Sequence, residues 1–341
     1  MSDELILAVP SKGRLEQDSA NLFAAFGMAL KRETSRGYGG TIAGLDNLRV
    51  DYVSAGEIAD RLATSDVHLG ITGEDLLRET IADIENADIE NTVQLVAPLG
   101  FGQANVVVAV PDGWVDVETM FDLADVAIQF YENHGRPLRV ATKYTYLATD
   151  FFVKHGVNNV ELIQSVGTTE RVPNAGLAEV IVDITSTGAT LKANDLRVLK
   201  DGVILQSEAN LVAALKADWS PQVLETAKRL LARLTAYQKA QNYCVVTFYK
   251  LPDNFDNLVK DFVSAARRHL RFALPPKFIG EIPKGIIITT ENLNDFVALA
   301  YQHGLGDVVV TRPDFIFERR NQAFEELKEA LEKRAKLEAK P

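Results

Sequence analysis

The chain has 341 residues, 47% of them apolar and 24% charged, with a formal net charge of −11. That composition suits a globular protein of two or three domains, and with no basic block in view a nucleic-acid duplex is not an expected partner. A lone cysteine, Cys244, rules out an internal disulfide and fits a reducing compartment, so a cytoplasmic location is expected.

The opening "MSDELILAVPSKGRL" has a short apolar run and no basic leader, and it reads as a strand rather than a signal peptide. No window reaches the roughly 18 apolar residues of a membrane span, so no membrane is expected. "GRLEQDSANLFAAFG" sets Leu15, Leu22 and Phe26 on one helical face and stops at Gly27. "RVDYVS" predicts a strand, "AGEIADRLATS" a helix and "VHLGITG" a strand. "TVQLVAPLGFGQANVVVAV" holds two strands around a break rich in proline and glycine. Residues 116–135 predict a helix, "RVATKY" a strand, "TYLATDFFVKHG" a helix, "NVELIQS" a strand, "TERVPNAGLA" a short helix and "EVIVDI" a strand. Such alternation predicts an α/β core with largely parallel sheets. "VILQSEANLVA" alternates like one half-buried strand, and a long helix follows, capped by Ser220 and opened by Pro221.

After residue 237 the pattern changes. "YCVVTFYK" predicts a strand, "DNFDNLVKDFVSAARRH" a helix, a β-like stretch carries Pro275 and Pro276, and "GIIITT", "NLNDFVALAYQHG" and "DVVVT" predict strand, helix and strand. That order is ferredoxin-like α+β. The chain closes on a helix with Glu329–Lys333 and Glu332–Lys336 at i,i+4 and a thin apolar stripe at Phe324, Leu327 and Leu331.

The chemistry is concentrated in "VDITSTGATLKAN", residues 182–194. An apolar strand ends near Asp183, where open α/β sheets place ligands. Thr185, Ser186, Thr187, Gly188, Ala189 and Thr190 follow. The glycine permits a sharp turn and close backbone approach, the hydroxyls are donors, and the next few residues read as a helix start that favours an anion. Together these suit a phosphate monoester, with Asp183 accepting from sugar hydroxyls. Taken alone, the stretch equally describes a Ser/Thr-rich turn capping a helix, and it lacks the Gly-Lys-Ser/Thr of a Walker loop. His68 and His134 read as structural, and no His/Cys cluster marks a metal site.

"LAVPSKGRL", "VHLGITGEDLL", "RVATKY" and "AEVIVDITSTGATLKAN" occur in that order, and over roughly residues 4–235 the chain resembles ATP phosphoribosyltransferase. The resemblance implies a two-lobed periplasmic-binding-protein-like core, with lobe I at 1–105 plus 203–236 and lobe II at 106–202. A ferredoxin-like regulatory or assembly domain would occupy 237–318 and a terminal helix 319–341. It implies an enzyme that joins ATP to 5-phosphoribosyl-1-pyrophosphate with Mg²⁺, giving N1-(5-phosphoribosyl)-ATP and pyrophosphate, the first step of histidine biosynthesis. As the C1–pyrophosphate bond loosens the ribose gains oxocarbenium character, so positioned cations and carboxylates are wanted rather than a nucleophile.

By that match Lys12, Gly13 and Arg14 meet phosphates, and Arg36, in a glycine-rich loop, meets pyrophosphate. Gly73, Glu74 and Asp75 meet ribose hydroxyls or metal-bound water, although Glu74 or Asp75 would serve equally as a helix cap. Thr142 and Lys143 meet a phosphate, Glu170 stands at the cleft mouth, and Asp183 with residues 185–190 holds the ribose 5-phosphate. Arg36, Lys143 and Asp183 are the catalytic candidates. One departure stands out: many members carry an arginine in or just after the strand written here "DYVSAG", where this chain has Ser54 and Ala55. Arg61 and Arg36 are the candidates to replace its charge. Short members end near the helix after Pro221 and need a separate regulatory subunit; long members add a histidine-binding domain. This chain joins a short-type core to an extra module, so a homo-oligomer (dimer or hexamer), inhibition by L-histidine and a separate regulatory subunit all enter as expectations. A non-catalytic paralogue that binds nucleotide and a solute-binding protein are the competing readings.

Overall fold

The computed structural model describes residues 3–34, 37–82, 88–165, 167–248, 286–305 and 307–338. The chain divides into two compact units, Met1–Ala227 with Ala323–Pro341, and Lys228–Gln322.

The first unit holds two sheets. One is built from β1 (Leu5–Pro10), β2 (Leu30–Arg32), β3 (Gly39–Ile42), β4 (Leu45–Val53), β5 (Leu69–Gly73), β6 (Val93–Pro98) and, from much later in the chain, β12 (Ala209–Ala214). Their order is β2-β3-β4-β1-β5-β12-β6. β4, β1 and β5 are mutually parallel, and β1 and β5 read as apolar runs because helices cover both faces. Those helices are α1 (Gly13–Ala25), α2 (Ala55–Thr64), α3 (Glu74–Ala82) and the short α4 (Ile89–Thr92). α2 buries Ile58, Ala59, Leu62 and Ala63 as one stripe, and it lies so close to β5 that a Cβ on Gly70 would stand 2.6 Å from Ile58 and 2.9 Å from Leu62. The hairpin of β2 and β3 is not foreseen by the sequence reading. It lies at the sheet edge, where Lys31 and Arg32 are tolerated and apolar periodicity is not required.

The other sheet contains β7 (Ala104–Pro111), β8 (Leu138–Thr142), β9 (Val160–Gln164), β10 (Val180–Thr185) and β11 (Leu196–Ser207), in the order β11-β7-β10-β8-β9. β9, β8 and β10 run parallel, and β7 pairs antiparallel with β10 and β11. α5 (Met120–His134), α6 (Thr145–Lys154) and α7 (Ala189–Ala193) belong to this lobe. The helix expected after β9 shrinks to a single 3-10 turn, Thr169–Arg171; Pro173 follows closely and cannot extend it. The chain crosses between lobes twice, at residues 99–103, where Gly100 and Gly102 take φ of 76° and 69°, and at Glu208. "VILQSEANLVA" is therefore two strands: β11 ends at Ser207 paired with β7, and β12 begins at Ala209 between β5 and β6. This is the two-lobed α/β core that the motifs imply, with the second crossing at 208 rather than 203.

In the rest of the chain, α8 (Pro221–Gln241) leads to β13 (Tyr243–Phe248), β14 (Ile286–Thr289), α9 (Leu293–Gln302) and β15 (Val308–Thr311). The second unit's antiparallel sheet has the order β14-β13-β15. Phe296 and Ala300 of α9 pack with Cys244, Val246, Ile286, Ile288 and Leu305. This is the α+β arrangement expected there; the predicted helix over 253–269 and the stretch with Pro275 and Pro276 lie outside the described residues. α10 (Gln322–Glu338) buries Leu327 completely, while Phe324 and Leu331 of its apolar stripe are half-buried. No helix among the described residues is long and apolar enough to cross a membrane.

Candidate functional site

Parallel strands aim their carboxyl ends at one edge, and both sheets of the first unit use that edge. In the second lobe β9, β8 and β10 bring together the turn holding Glu170, the Thr142–Lys143 corner and the loop after Asp183. In the first lobe β4, β1 and β5 bring together Ser54, the Lys12–Arg14 corner and Gly73–Asp75. The edges meet where the Tyr144 hydroxyl donates to Asp75 Oδ2 at 2.7 Å.

Asp183 is half-buried on β10, in register with Val107. Burial pushes its carboxyl up from the usual carboxylate range; the Ile184 amide, 2.8 Å from Oδ1, and the Lys143 ammonium pull it back, while Glu170 adds to the rise. The chain then turns at Gly188, whose φ of 73° is left-handed. Its amide donates to Thr185 Oγ1 at 2.9 Å, and the Ala189 amide makes a longer bond of 3.4 Å to Thr187 Oγ1. Ser186, Thr187, Ala189 and Thr190 are exposed, and a Cβ built on Gly188 meets nothing within 4 Å. The corner thus stands open to solvent, with exposed hydroxyls, with the Gly188 and Ala189 amides turned onto Thr185 and Thr187, and with a cation and two carboxylates beside it.

Lys143 is exposed, and its ammonium lies 5.0 Å from the centroid of the Tyr144 ring. Its neighbours are fixed. Thr142 is fully buried and its Oγ1 accepts the Tyr144 amide at 2.8 Å; Thr142 therefore offers no surface to a ligand and holds the corner instead. Tyr144 is 1% exposed, and burial followed by the charge of Asp75 pushes its phenol far above the ordinary range, so the hydroxyl stays a donor.

Asp75, expected among the ribose ligands, is only 4% exposed. Its Oδ1 accepts from Ser207 Oγ at 2.7 Å, its Oδ2 from Tyr144, and its amide donates back to Ser207 Oγ at 3.1 Å. With both oxygens engaged in the interior, Asp75 ties elements together and has no free face for a sugar. Gly73 is there for Asp75, because a Cβ on it would fall well inside 3.0 Å of Oδ1. Glu74 is half-buried and paired with Arg78 at 2.6 Å.

Lys12 and Gly13 are exposed at the start of α1, where Lys12 is an extended N-cap that makes no side-chain cap bond. Arg14 is 78% exposed and only loosely paired with Asp18, at 3.4 Å. Arg32, which sequence reasoning overlooked, reaches this corner from β2: its Nη2 donates to the Ser11 carbonyl and to Glu16, both at 3.0 Å, and its guanidinium lies 4.0 Å from the Tyr52 ring centroid. Ser54 caps α2, accepting the Glu57 amide at 3.2 Å. Arg61 pairs with Asp51 at 3.2 Å and Glu57 at 2.6 Å, so its charge is already compensated. Arg36 lies outside the described residues.

Residues 54–236 match the family model of ATP phosphoribosyltransferase. The chain is 46% identical over 331 residues to the ATP phosphoribosyltransferase of Nitrobacter winogradskyi, covering 96% of this chain and 98% of that one. It is 46% identical over 335 residues to that of Rhodopseudomonas palustris, covering 97% and 99%. Over 244 residues it is 52% identical to that of Afipia carboxidovorans, covering 71% and 74%.

Proposed function

The chain belongs to the ATP phosphoribosyltransferase family, and from that premise we propose how its own residues divide the work. The reaction is a pentosyl transfer: ATP and 5-phosphoribosyl-1-pyrophosphate give N1-(5-phosphoribosyl)-ATP and pyrophosphate, the first step of L-histidine biosynthesis. In our reading the Thr185–Thr190 corner cradles the 5-phosphate. Asp183 accepts from the ribose hydroxyls, and Lys143 and Glu170 flank the sugar. What carries this reading is the left-handed Gly188 turn, open above its Cα and lined by hydroxyls and amides, beside the half-buried Asp183 and the exposed Lys143. On phosphate binding the Gly188 amide exchanges Thr185 Oγ1 for a phosphate oxygen, a charge-assisted bond.

Lys12, Gly13 and Arg14 face the same cleft from the first lobe and are assigned to the phosphates of ATP or the departing pyrophosphate. Positioning the two substrates and neutralising the charge that builds on the leaving group supply the rate. Among the described residues no group of three His, Cys, Asp or Glu could hold a metal ion. Mg²⁺ typically keeps several waters and rides on substrate phosphates with one or two carboxylates. We therefore place it as part of the substrate complex, met by Asp183 and Glu170. Inhibition by L-histidine through the unit Lys228–Gln322, assembly as a dimer or hexamer, the use of a separate regulatory subunit and a cytoplasmic location complete the proposal.

Purified protein mixed with ATP, 5-phosphoribosyl-1-pyrophosphate and Mg²⁺, followed by adenine ultraviolet absorbance, tests turnover; binding without turnover would favour the non-catalytic paralogue. Thr187→Ala with Gly188→Val is expected to weaken the sugar's apparent affinity by at least ten-fold, since one charge-assisted hydrogen bond is worth about 1.5–3 kcal/mol. Unchanged affinity would end the corner assignment. Adding histidine to the assay and sizing the protein in solution test regulation and assembly.

A further inference from the structure

Lys143 has no rigid element of its own. It sits between the end of β8 and the start of α6, and α6 begins without any side-chain cap from its N-cap residue, Tyr144. Amides in a helix's first turn need acceptors, and a helix start without them is loose. The acceptors come from the other lobe. Glu79 of α3 takes the Tyr146 amide on Oε1 at 2.9 Å and the Leu147 amide on Oε2 at 3.0 Å. One helical turn earlier on α3, Asp75 takes the Tyr144 hydroxyl at 2.7 Å. Residues four apart lie on one helix face, so a single face of α3 grips both the residue after Lys143 and the helix that follows.

The same carboxylate reaches the crossing between lobes. Asp75 Oδ1 accepts from Ser207, the last residue of β11 and the one before Glu208. On its other side Lys143 follows the buried Thr142, whose hydroxyl is bonded to the Tyr144 amide. The lysine backbone is thus clamped, while its ammonium lies near enough to Asp183 to pull that carboxyl down.

We infer that the Asp75–Glu79 face of α3, acting on Tyr144, the first turn of α6 and Ser207, is a positioning device that fixes the angle between the lobes and holds Lys143 against the pentose corner. These are positioning residues: none of them meets substrate. The inference rests on the reading of residues 183–190 as the pentose-phosphate corner. Transfer between two bound substrates is steeply sensitive to placement, and an error of about 1 Å costs on the order of 10²-fold. The pentose corner, by contrast, is built wholly from the second lobe and stands without the grip.

The experiment compares Glu79→Gln, Tyr144→Phe and Ser207→Ala with the parent full-length protein. Steady-state kinetics give kcat, calorimetric titration with ribose 5-phosphate reads the corner, and thermal melting reads folding. Glu79→Gln keeps the shape of the side chain and loses the paired carboxylate oxygens; Ser207→Ala loosens only the crossing. The expected result is a kcat lowered by on the order of 10- to 100-fold in Glu79→Gln and Tyr144→Phe, with a smaller loss in Ser207→Ala and ribose 5-phosphate affinity within about two-fold of the parent, less than one lost hydrogen bond would cost. Unchanged kcat in folded Glu79→Gln overturns the inference, and so does an affinity that falls in step with kcat, which would put these groups in the binding site. If one variant melts below the assay temperature, the other two decide. Failure of the parent itself to bind ribose 5-phosphate would remove the corner assignment, and the kcat ratios would still report on the grip.

Discussion

Gly73 offers the sharpest test of the interior beneath the cleft. A Cβ at this position would approach Asp75 Oδ1 to well under 3.0 Å, a distance real Cβ atoms do not reach, while Ser207 Oγ lies 3.5 Å away. Gly73→Ala therefore forces the carboxylate to retreat. It cannot do so freely, because Oδ1 is held by Ser207 and Oδ2 by Tyr144, each at 2.7 Å. Losing one such bond to a charged group costs about 1.5–3 kcal/mol, and losing both about twice that. Against this, alanine lowers the entropy of the unfolded chain by about 0.4–1 kcal/mol. If one bond is lost, the net is about 0.5–2.5 kcal/mol of destabilisation. For a unit of this size each kcal/mol moves the melting temperature by roughly 2–4 °C, so Tm should fall by about 1–10 °C. Calorimetric melting of parent and variant measures it, and Ser207→Ala supplies the second corner of a double-mutant cycle. Because the two changes act on one carboxylate oxygen, their effects should fall short of additive. A Tm within about 1 °C of the parent, or strict additivity with Ser207→Ala, would refute the argument that the glycine exists to admit Asp75.

Two titrations extend the same logic. Burial raises the Asp183 carboxyl in the folded state, so its contribution to stability is present below the unfolded value near 3.8 and is lost as pH rises through the folded one. Asp183→Asn should therefore melt higher than the parent at pH 7.5, with the gap closing in acid, while kcat falls by on the order of 10²-fold; equal or lower melting at pH 7.5 would contradict the burial argument. His68 behaves in the opposite sense. Its Nδ1 accepts the Ile6 amide at 3.1 Å and its Nε2 faces the Asp218 carbonyl at 3.1 Å, which fixes a neutral tautomer, and burial lowers its pKa from 6.5. That stability is complete above 6.5 and drains away as pH falls toward the lowered folded value. Urea midpoints at pH 7.5 and 5.5 should therefore drop more in the parent than in His68→Asn, and parallel drops would exclude His68 as the cause.

Much of this protein is legible in its amino-acid order. The apolar run of residues 5–9 and the stripe of Ile58, Ala59, Leu62 and Ala63 are enough to place a buried strand and a helix, since local periodicity reports which side faces the core. The Thr185–Thr190 loop is legible because its hydroxyls and glycine are neighbours in sequence as well as in space. What the order leaves open are matters of distance between remote segments. Asp75 and Glu79 look like any acidic first turn, and nothing near them announces that Tyr144 and the amides of Tyr146 and Leu147 lie opposite. "VILQSEANLVA" alternates without a break, yet it changes sheets at Glu208 because its two halves find different partner strands. Periodicity is a property of one segment, whereas burial of a carboxylate and the turn of a chain from one sheet to another depend on what packs against it, and that is settled only when the two lobes close on α3.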